Sequence, residues 1–281
     1  MARWVMAYDD VNQRLVRTTK DPNDIVSGSG SSGVDIDVVR AGSVAITNGA
    51  TSAAITYSTA FVSTSYALGI QLVNVTDASN TLLIQPLTII SKTTNGCTVE
   101  WNTPVPTGNY IIDYLAVQPC SLFRANVEQI AGGLSTYVSS LLSASGKAVV
   151  ECFEDTTSTI RTYQPSILTA KTGTDFTSTW SSPTPNSNTY VNWLAIDASC
   201  ISLKSGVNAM TAVSGYTVTF PFPTMTSSSY AAITTMSNVI DSSPTIQPSI
   251  VTAKTISSFS VEWSVANPTS NYRLEWIART Y

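Results

Sequence analysis

The sequence contains no histidine, and only 11% of its 281 residues are charged, against about 25% in an average soluble domain. Without imidazole, a Ser-His-Asp triad, a Cys-His nucleophile pair and a histidine-containing zinc site are excluded. Catalysis would have to depend on the 18 carboxylates or the 14 lysines and arginines, and we find no catalytic motif among them. We therefore predict a protein that is not an enzyme and that binds no cofactor and no metal ion.

Cysteines, basic stripes and long apolar runs are also scarce. The four cysteines show no Cys-x-x-Cys spacing, which favours reduced thiols over disulfides; they are Cys97, Cys120, Cys152 and Cys200. A net charge of -4 argues against nucleic-acid binding, because no basic surface is available to displace phosphate counterions. No stretch approaches the roughly 18 apolar residues of a membrane span, and the N-terminus lacks a signal-peptide pattern. We expect synthesis in the cytoplasm and no membrane insertion.

The first 35 residues differ in composition from the rest, because they hold a large share of the charges and end in the Gly/Ser-rich segment 27–33. Such a segment is typical of a flexible linker. We interpret residues 1–35 as a docking arm and linker, too poor in apolar residues to fold alone. Its partner-docking candidates are the apolar side chains near the start, namely Trp4, Val5, Met6 and Tyr8.

Beyond the linker the chain contains a threefold repeat. The segments align on Gln-Pro pairs at 85–86, 164–165 and 247–248. Residues at equal distances after each of these glutamines are then also alike. The lysines are Lys92, Lys171 and Lys254; the first tryptophans are Trp101, Trp180 and Trp263. We place repeat 1 at 36–118, repeat 2 at 119–199 and repeat 3 at 200–281.

Within the repeats, apolar and polar residues alternate with a period of two, as in 97–101 and 259–263. This pattern is typical of strands with one buried face, and several short strands per 80 residues indicate a small antiparallel β-sandwich. We therefore predict an all-β protein with three tandem sandwiches after an extended N-terminal arm. The segment 191–196 is apolar at nearly every position and should be covered on both faces, and only 126–130 has any helical character.

Several segments resemble the H-type lectin domain and the lectin-like modules found in tandem in bacteriophage fibre and virion-surface proteins. In repeat 3 the resemblance rests on 216–220, 230–231, 251–255, 259–261 and 276–278; in repeat 1 it rests on 41–49 and 63–67. Repeat 2 departs most, with Lys147 at the position of Tyr66 and Tyr230. The resemblance implies a six-stranded antiparallel sandwich that assembles as trimers and serves carbohydrate binding or virion attachment.

The candidate binding residues lie in and before the last strand of each repeat. Because Trp101, Trp180 and Trp263 share the parity of core residues, we predict that they are buried, as are Trp193 and Trp276. The residues one position before the last aromatic should face the other way, towards ligand or solvent; they are Asp113, Asn192 and Glu275. Tyrosines before the final strand are good recognition residues, or pack at a sandwich edge; they are Tyr110, Tyr190 and Tyr272, with Arg273 beside the last.

Two further polar groups have simpler interpretations. The three recurring lysines should have a common structural role, such as capping a strand end with the lysine stem on apolar surface. A carboxylate pair for glycoside hydrolysis would need two acids about 5–10 Å apart in a cleft. The nearest sequence cluster, formed by Glu151, Glu154 and Asp155, is absent from the other repeats, and we expect it on an exposed strand end.

We predict a phage virion structural protein on the virion surface: a tail fibre or tail-associated adhesin that docks by its arm and presents lectin-like modules to the host surface, with a host glycan as the candidate ligand. One alternative is a capsid decoration or head-fibre protein; another is a free carbohydrate-binding lectin, which would need no docking segment. Other virion proteins are the expected partners. Because repeat 2 has diverged, we favour a homotrimer with repeats stacked along its axis over one chain forming a pseudo-threefold cluster.

Overall fold

The structure is a computed structural model. It describes residues 5–9, 14–18, 38–74, 76, 82–118, 123–130, 133–139, 148–156, 163–172, 174–184, 188–196, 203–221 and 224–281. The chain divides into two compact units, Met1–Ile36 and Asp37–Tyr281. The described part of the chain contains no helix that is long and apolar enough to cross a membrane.

The N-terminal unit contains one element that the sequence did not predict. Strand β1 (Val5–Asp9) pairs antiparallel with β2 (Arg14–Thr18), with Val5 opposite Thr18 and Asp9 opposite Arg14. The predicted docking residues Val5, Met6 and Tyr8 belong to β1, whereas Trp4 and the linker lie outside the described residues.

The larger unit is all-β, as predicted, and each repeat contributes six strands. Repeat 1 contains β3 (Val39–Ala45), β4 (Ser52–Thr56), β5 (Ala67–Asn74), β6 (Thr88–Thr93), β7 (Gly96–Glu100) and β8 (Tyr110–Val117). Repeat 2 contains β9 (Phe123–Gln129), β10 (Ser135–Ser139), β11 (Val149–Asp155), β12 (Ser166–Thr169), β13 (Asp175–Trp180) and β14 (Thr189–Ile196). Repeat 3 contains β15 (Leu203–Ala209), β16 (Gly215–Thr219), β17 (Tyr230–Asn238), β18 (Ser249–Thr252), β19 (Ser258–Trp263) and β20 (Tyr272–Thr280).

The six strands of a repeat form two antiparallel groups of three. The first, third and sixth strands make the inner group, ordered β5-β8-β3 in repeat 1, and the others make the outer group, ordered β4-β7-β6. The two groups enclose a core that belongs almost entirely to one repeat, containing for example Leu68, Val99 and Trp101 in repeat 1. This is the predicted sandwich. In β13 and β19 burial alternates residue by residue, which confirms the predicted period of two.

The three sandwiches are joined into a ring by parallel strand pairing between repeats. Each outer group continues into the inner group of another repeat, so that each of the three sheets of the larger unit has six strands from two repeats. Strand β6 of repeat 1 pairs with β11 of repeat 2, β12 of repeat 2 with β17 of repeat 3, and β18 of repeat 3 with β5 of repeat 1. We call these junctions seam 1/2, seam 2/3 and seam 3/1. Seam 3/1 returns the last repeat to the first and closes the ring.

The inner groups pack against one another in the middle of the ring. Strands β5, β11 and β17 are buried at every position, on both faces. A Cβ on Gly69 would lie 3.0 Å from Ile233 and 3.1 Å from Leu194, which belong to the other two repeats. The absence of a side chain at Gly69 therefore lets three inner groups meet closely.

Two expectations about architecture need correction. The stretch 126–130 is not helical, since Asn126 lies in strand β9, which ends at Gln129. The stacked arrangement of repeats is also wrong, because the strand pairing runs from repeat 1 to 2, from 2 to 3 and from 3 back to 1. The sequence divergence of repeat 2 is therefore not explained by a position of its own in a stack of repeats. Association of several chains is not tested by the structure of one chain, and the homotrimer stays a prediction.

Candidate functional site

Each recurring lysine reaches across a seam to an acidic side chain of the next repeat. The distance from Nζ to the carboxylate oxygen is 2.8 Å for Lys92–Glu154, 2.6 Å for Lys171–Glu275 and 2.8 Å for Lys254–Asp113. The lysines therefore do share a structural role, and that role is to pair neighbouring repeats.

At each seam the residue one position before the last aromatic of a repeat also accepts a backbone amide hydrogen, in every case from the repeat that supplies the lysine. Asp113 Oδ2 accepts from the amide of Ala232 at 2.9 Å, Glu275 Oε2 from Val149 at 2.7 Å, and Asn192 Oδ1 from Leu68 at 3.3 Å. We call each set of lysine, amide and acceptor a clasp. Charge-assisted hydrogen bonds of this kind are the stronger class in proteins.

The clasp at seam 1/2 differs from the other two because its acceptor is neutral. Asn192 stands where the other repeats have Asp113 and Glu275, and Lys92 Nζ lies 3.4 Å from its Oδ1. The negative charge is supplied instead by Glu154 on β11, whose Oε2 also accepts from Asn192 Nδ2 at 2.7 Å. At this seam the charge has therefore moved to a position beside an open groove.

The groove at seam 1/2 has a volume of about 540 Å³, within the usual range of about 300–1,000 Å³ for ligand sites. Its wall from repeat 1 includes Thr64, Tyr66 and Lys92, and its wall from repeat 2 includes Asn126, Glu154 and Tyr190. It combines the half-buried Tyr190 and the buried Tyr66 with both hydrogen-bond donors and acceptors.

The repeat 1 wall of the groove is held rigid. The hydroxyl of Tyr66 donates to the carbonyl of Thr93 at 2.9 Å, and Lys92 Nζ donates to the carbonyl of Tyr66 at 3.0 Å. The same ammonium lies 5.0 Å from the centre of the Tyr66 ring, a cation–π distance. Lys254 and Tyr230 repeat this contact at 4.9 Å in repeat 3. Lys147 lies outside the described residues, so its equivalence with these tyrosines stays a prediction.

The repeat 2 wall retains polar atoms that could bind a ligand. Among the described residues, hydrogen bonds to the Glu154 carboxylate reach Oε2 alone, which leaves Oε1 as an acceptor. Asn126 donates through Nδ2 to Glu128 at 2.8 Å, and among the described residues its Oδ1 accepts no hydrogen bond. Tyr190 is half-buried, and its hydroxyl has no hydrogen-bond partner within the described ranges. These groups suit a ligand with several hydroxyls and an apolar face.

Of the predicted tyrosines, Tyr190 alone lines the groove. Tyr110 and Tyr272 are fully buried, and their hydroxyls accept backbone amide hydrogens from Leu83 at 2.8 Å and Thr245 at 2.5 Å. These two tyrosines therefore pack within the sandwich, as the alternative to a recognition role predicted. All three tyrosines lie in the final strand rather than in the loop before it.

The strand register separates Tyr190 from the other two tyrosines. Thr189 pairs opposite Asp155 just as Tyr110 pairs opposite Asn74, so Thr189 is the true equivalent of Tyr110. Tyr190 instead corresponds to Arg273, which is half-buried and donates to the carbonyls of Ser270 and Tyr272 at 3.0 and 2.9 Å.

The predicted outward orientation of Asp113, Asn192 and Glu275 is wrong. All three side chains are completely buried, because the second face of the final strand is covered by the neighbouring repeats. Burial raises the pKa of Asp113 and Glu275, and the ammonium groups of Lys254 and Lys171 oppose that shift. These residues hold the ring together and do not form a ligand surface.

The predicted burial of the tryptophans is confirmed. Trp101, Trp180 and Trp263 are at most 2% exposed, and Trp193 and Trp276 at most 4%. Each of the first three also donates its indole hydrogen to a backbone carbonyl near the start of the same repeat's second strand, at 3.1, 2.7 and 2.8 Å; the acceptors are Ala50, Gly133 and Val213.

The recurring glutamines have a role that sequence reasoning missed. The side-chain oxygen accepts a backbone amide hydrogen 18 residues further on, from Thr103 to Gln85 at 2.9 Å, from Ser182 to Gln164 at 3.0 Å and from Val265 to Gln247 at 3.1 Å. Each glutamine therefore fastens the loop that follows the fifth strand of its repeat.

The carboxylate cluster of repeat 2 is not exposed, contrary to expectation. Glu151, Glu154 and Asp155 lie in β11, which is buried along its whole length. Among the described residues, no group of three or more cysteine, aspartate or glutamate side chains is placed to hold a metal ion. Cys97 and Cys152 are buried free thiols, and Cys120 and Cys200 lie outside the described residues.

Sequence reasoning also missed Lys92, Glu154 and Asn126 as members of one site. A signal was present in the repeat itself, because Asn192 replaces an acid at the position facing a recurring lysine while Glu154 appears nearby in that repeat alone. This signal can be interpreted only once it is known that the lysine of one repeat faces the next repeat.

Comparison of the chain with protein-family models, curated proteins and solved structures finds no match. The resemblance to H-type lectins therefore stays a hypothesis.

Proposed function

We propose that this chain is a non-enzymatic attachment protein of a bacteriophage virion, a tail fibre or tail-associated adhesin that binds a host-surface glycan in the groove at seam 1/2. The N-terminal unit would dock on other virion proteins, and the ring would be presented at the virion surface.

The architecture supports an adhesin in two ways. Three lectin-like sandwiches closed into a ring make a rigid platform, and their resemblance to H-type lectin modules associates them with virion attachment and carbohydrate binding. A rigid scaffold with the site on its strands limits the entropy lost when a ligand binds. Fold alone does not carry function, so the proposal depends on the groove.

The groove is the observation that carries the proposal. At seam 1/2 the clasp charge lies on Glu154, which is 7% exposed and lines the groove together with Tyr190, whereas at seam 3/1 the corresponding charge is Asp113, which is completely buried. At seam 3/1 the hydroxyl of Tyr281 also lies 2.7 Å from Ser43 Oγ, and Ser43 donates to Asp113. The clasp at seam 3/1 is thus completed by the chain's own side chains, and that at seam 1/2 leaves acceptors for a ligand.

A glycan array tests the groove. We expect the purified chain to bind a defined set of glycans, and Tyr190→Ala to weaken that binding by about tenfold or more, the effect of removing one aromatic contact. Arg273→Ala is the matched control, because Arg273 occupies the equivalent position in repeat 3 away from this groove. Equal binding by both variants would show that the ligand binds outside the groove. If the purified chain bound no glycan on the array, the proposal of a glycan ligand would be wrong.

Adsorption experiments address the virion assignment. Particles whose copies of this chain carry Tyr190→Ala should adsorb to the host more slowly than particles carrying Arg273→Ala. Normal adsorption by particles that lack the chain altogether would favour the capsid decoration alternative over the adhesin.

A further inference from the structure

Glu151 is a carboxylate inside the sandwich of repeat 2 with no cation beside it among the described residues. It is 6% exposed and lies opposite Trp193 in the pairing of β11 with β14. Val149 and Phe153, two residues before and after it, belong to the repeat 2 core, and the alternation of a strand places Glu151 on the same face. The equivalent residues, opposite Tyr114 and Trp276, are Ile70 and Thr234.

The core residues that surround Glu151 are more polar than the equivalent residues of repeat 1. By position after the Gln-Pro pair, its neighbours Ser166 and Ser178 correspond to Leu87 and Val99 in repeat 1. Ser178 is completely buried. Neither carboxylate oxygen of Glu151 has a hydrogen bond of normal geometry, and neither does the hydroxyl of Ser178 or the indole nitrogen of Trp193. Such buried unpaired groups are costly.

The charges near Glu151 do not favour its ionised form. Glu275 on β20 is the charged neighbour that acts on it, and this carboxylate is itself paired with Lys171. Among the described residues, the strands packed on Glu151 present Ser166 from β12, Ser178 from β13 and Trp193 from β14, none of them charged. Cys152 and Glu154 on β11 face the opposite side.

Burial therefore raises the pKa of Glu151 from 4.5 to about 7, and the repulsion from Glu275 adds to the shift, while the two serines oppose it. An axial cavity of about 80 Å³, lined by Glu151 and by the recurring Gln-Pro segments, adjoins the residue. The polar side chains Gln85, Gln164 and Gln247 also line this cavity.

We propose that Glu151 makes repeat 2 a pH-sensitive module of the ring, closed when the carboxyl group is protonated and progressively loosened as the pH rises to neutrality. A carboxyl group that holds its proton more tightly in the folded state stabilises that state most below its unfolded pKa, and this contribution is lost as pH rises through the folded pKa. The affected window runs from about pH 4.5 to about pH 7.

The location of Glu151 connects this change with the groove. Strand β11 carries Glu151 on its core face and Glu154 on its groove face, and it forms seam 1/2 by pairing with β6. Loosening of β11 would therefore disturb the groove wall first.

Amide hydrogen exchange on the full chain, corrected for the intrinsic pH dependence of exchange, tests the proposal. Between pH 4 and pH 8 the opening equilibrium of β11 and β13 should rise by about 200-fold, as a pKa of about 7 in the folded state against 4.5 in the open state requires. In Glu151→Gln this rise should be absent. Glu128→Gln, which neutralises a half-buried carboxylate on β9 of the same repeat, should behave as the wild type.

Three results would overturn the proposal. One is the same pH dependence in Glu151→Gln as in the wild type, and another is no pH dependence in the wild type. The third is an equal loss of amide protection in β17 and β19 of repeat 3, which would show that the pH effect is not confined to repeat 2. If Glu151→Gln fails to fold, Glu151→Thr introduces the residue that repeat 3 has at this position and serves the same comparison.

Discussion

Lys254 of the third repeat donates to Asp113 of the first at 2.8 Å, although 141 residues of chain separate them. Both side chains are buried, and Asp113 also accepts the amide hydrogen of Ala232. This pair lies at the seam that closes the ring, so it reports directly on closure.

Lys254→Met should destabilise the protein by about 3–5 kcal/mol, because it leaves the Asp113 carboxylate buried without its cation. Chemical denaturation measures this change. The double variant Lys254→Met, Asp113→Leu should recover most of the loss, since replacing a whole buried pair by apolar residues is often neutral. A single variant with wild-type stability would mean that the clasp does not hold seam 3/1.

The parity of strand β19 predicts very different costs for two adjacent residues. Trp263→Ala should cost about 3–5 kcal/mol, the usual loss for a large buried aromatic. Glu262→Ala should stay within about 0.5 kcal/mol, because Glu262 is half-buried and accepts one hydrogen bond from Thr252 at 3.2 Å. Denaturant melts of the two variants decide this, and similar losses would contradict the burial pattern.

Gln247→Ala should destabilise repeat 3 by about 1–3 kcal/mol, because it removes two hydrogen bonds to the following loop, each worth about 0.5–1.5 kcal/mol. Gln247 both accepts from the amide of Val265 and donates to its carbonyl at 2.8 Å. Gln118→Ala is the control, since the side chain of Gln118 makes a hydrogen bond of 3.5 Å to Ser63. Comparable denaturation midpoints for both variants would rule out the fastening role.

Gly42 is required for a close approach in repeat 1. A Cβ at this position would lie 2.6 to 2.9 Å from atoms of the Tyr114 side chain, so Gly42→Ala should cost about 1–3 kcal/mol through overpacking. Gly108→Ala is the matched control, because a methyl group added at Gly108 would meet nothing within 4 Å among the described residues. Thermal melts of the two variants should separate clearly, and two unchanged melting temperatures would show that the ring of Tyr114 can move aside.

The strands and the core could be predicted from the sequence because both leave a local trace. Alternation along β19 indicated which residues are buried, and the Gln-Pro register identified equivalent residues such as Trp101 and Trp263. The pairing between repeats leaves no such trace, since a strand of given pattern can pair with the same or the next repeat. This is why the prediction for Asp113 had the wrong orientation.

One clue to the correct orientation was available. The segment 191–196 was predicted to be covered on both faces, and Asn192 lies inside it. If both faces are buried, the polar residue between them must find its partner inside the protein, and a recurring lysine is the obvious candidate. The groove could not be found this way, because it depends on strands from two repeats meeting at seam 1/2.

The molecular mass of the purified protein in solution tests how many chains form one ring. The strand pairing at seams 1/2, 2/3 and 3/1 supplies within one chain the contacts that three separate chains would otherwise have to make. Ring closure alone therefore predicts a species of 29.9 kDa in light scattering on the purified protein. A species of three times that mass would mean that complete rings associate further, as the homotrimer prediction requires, through surfaces other than the seams. In that case Lys254→Met should lower the stability of each ring without changing the number of chains.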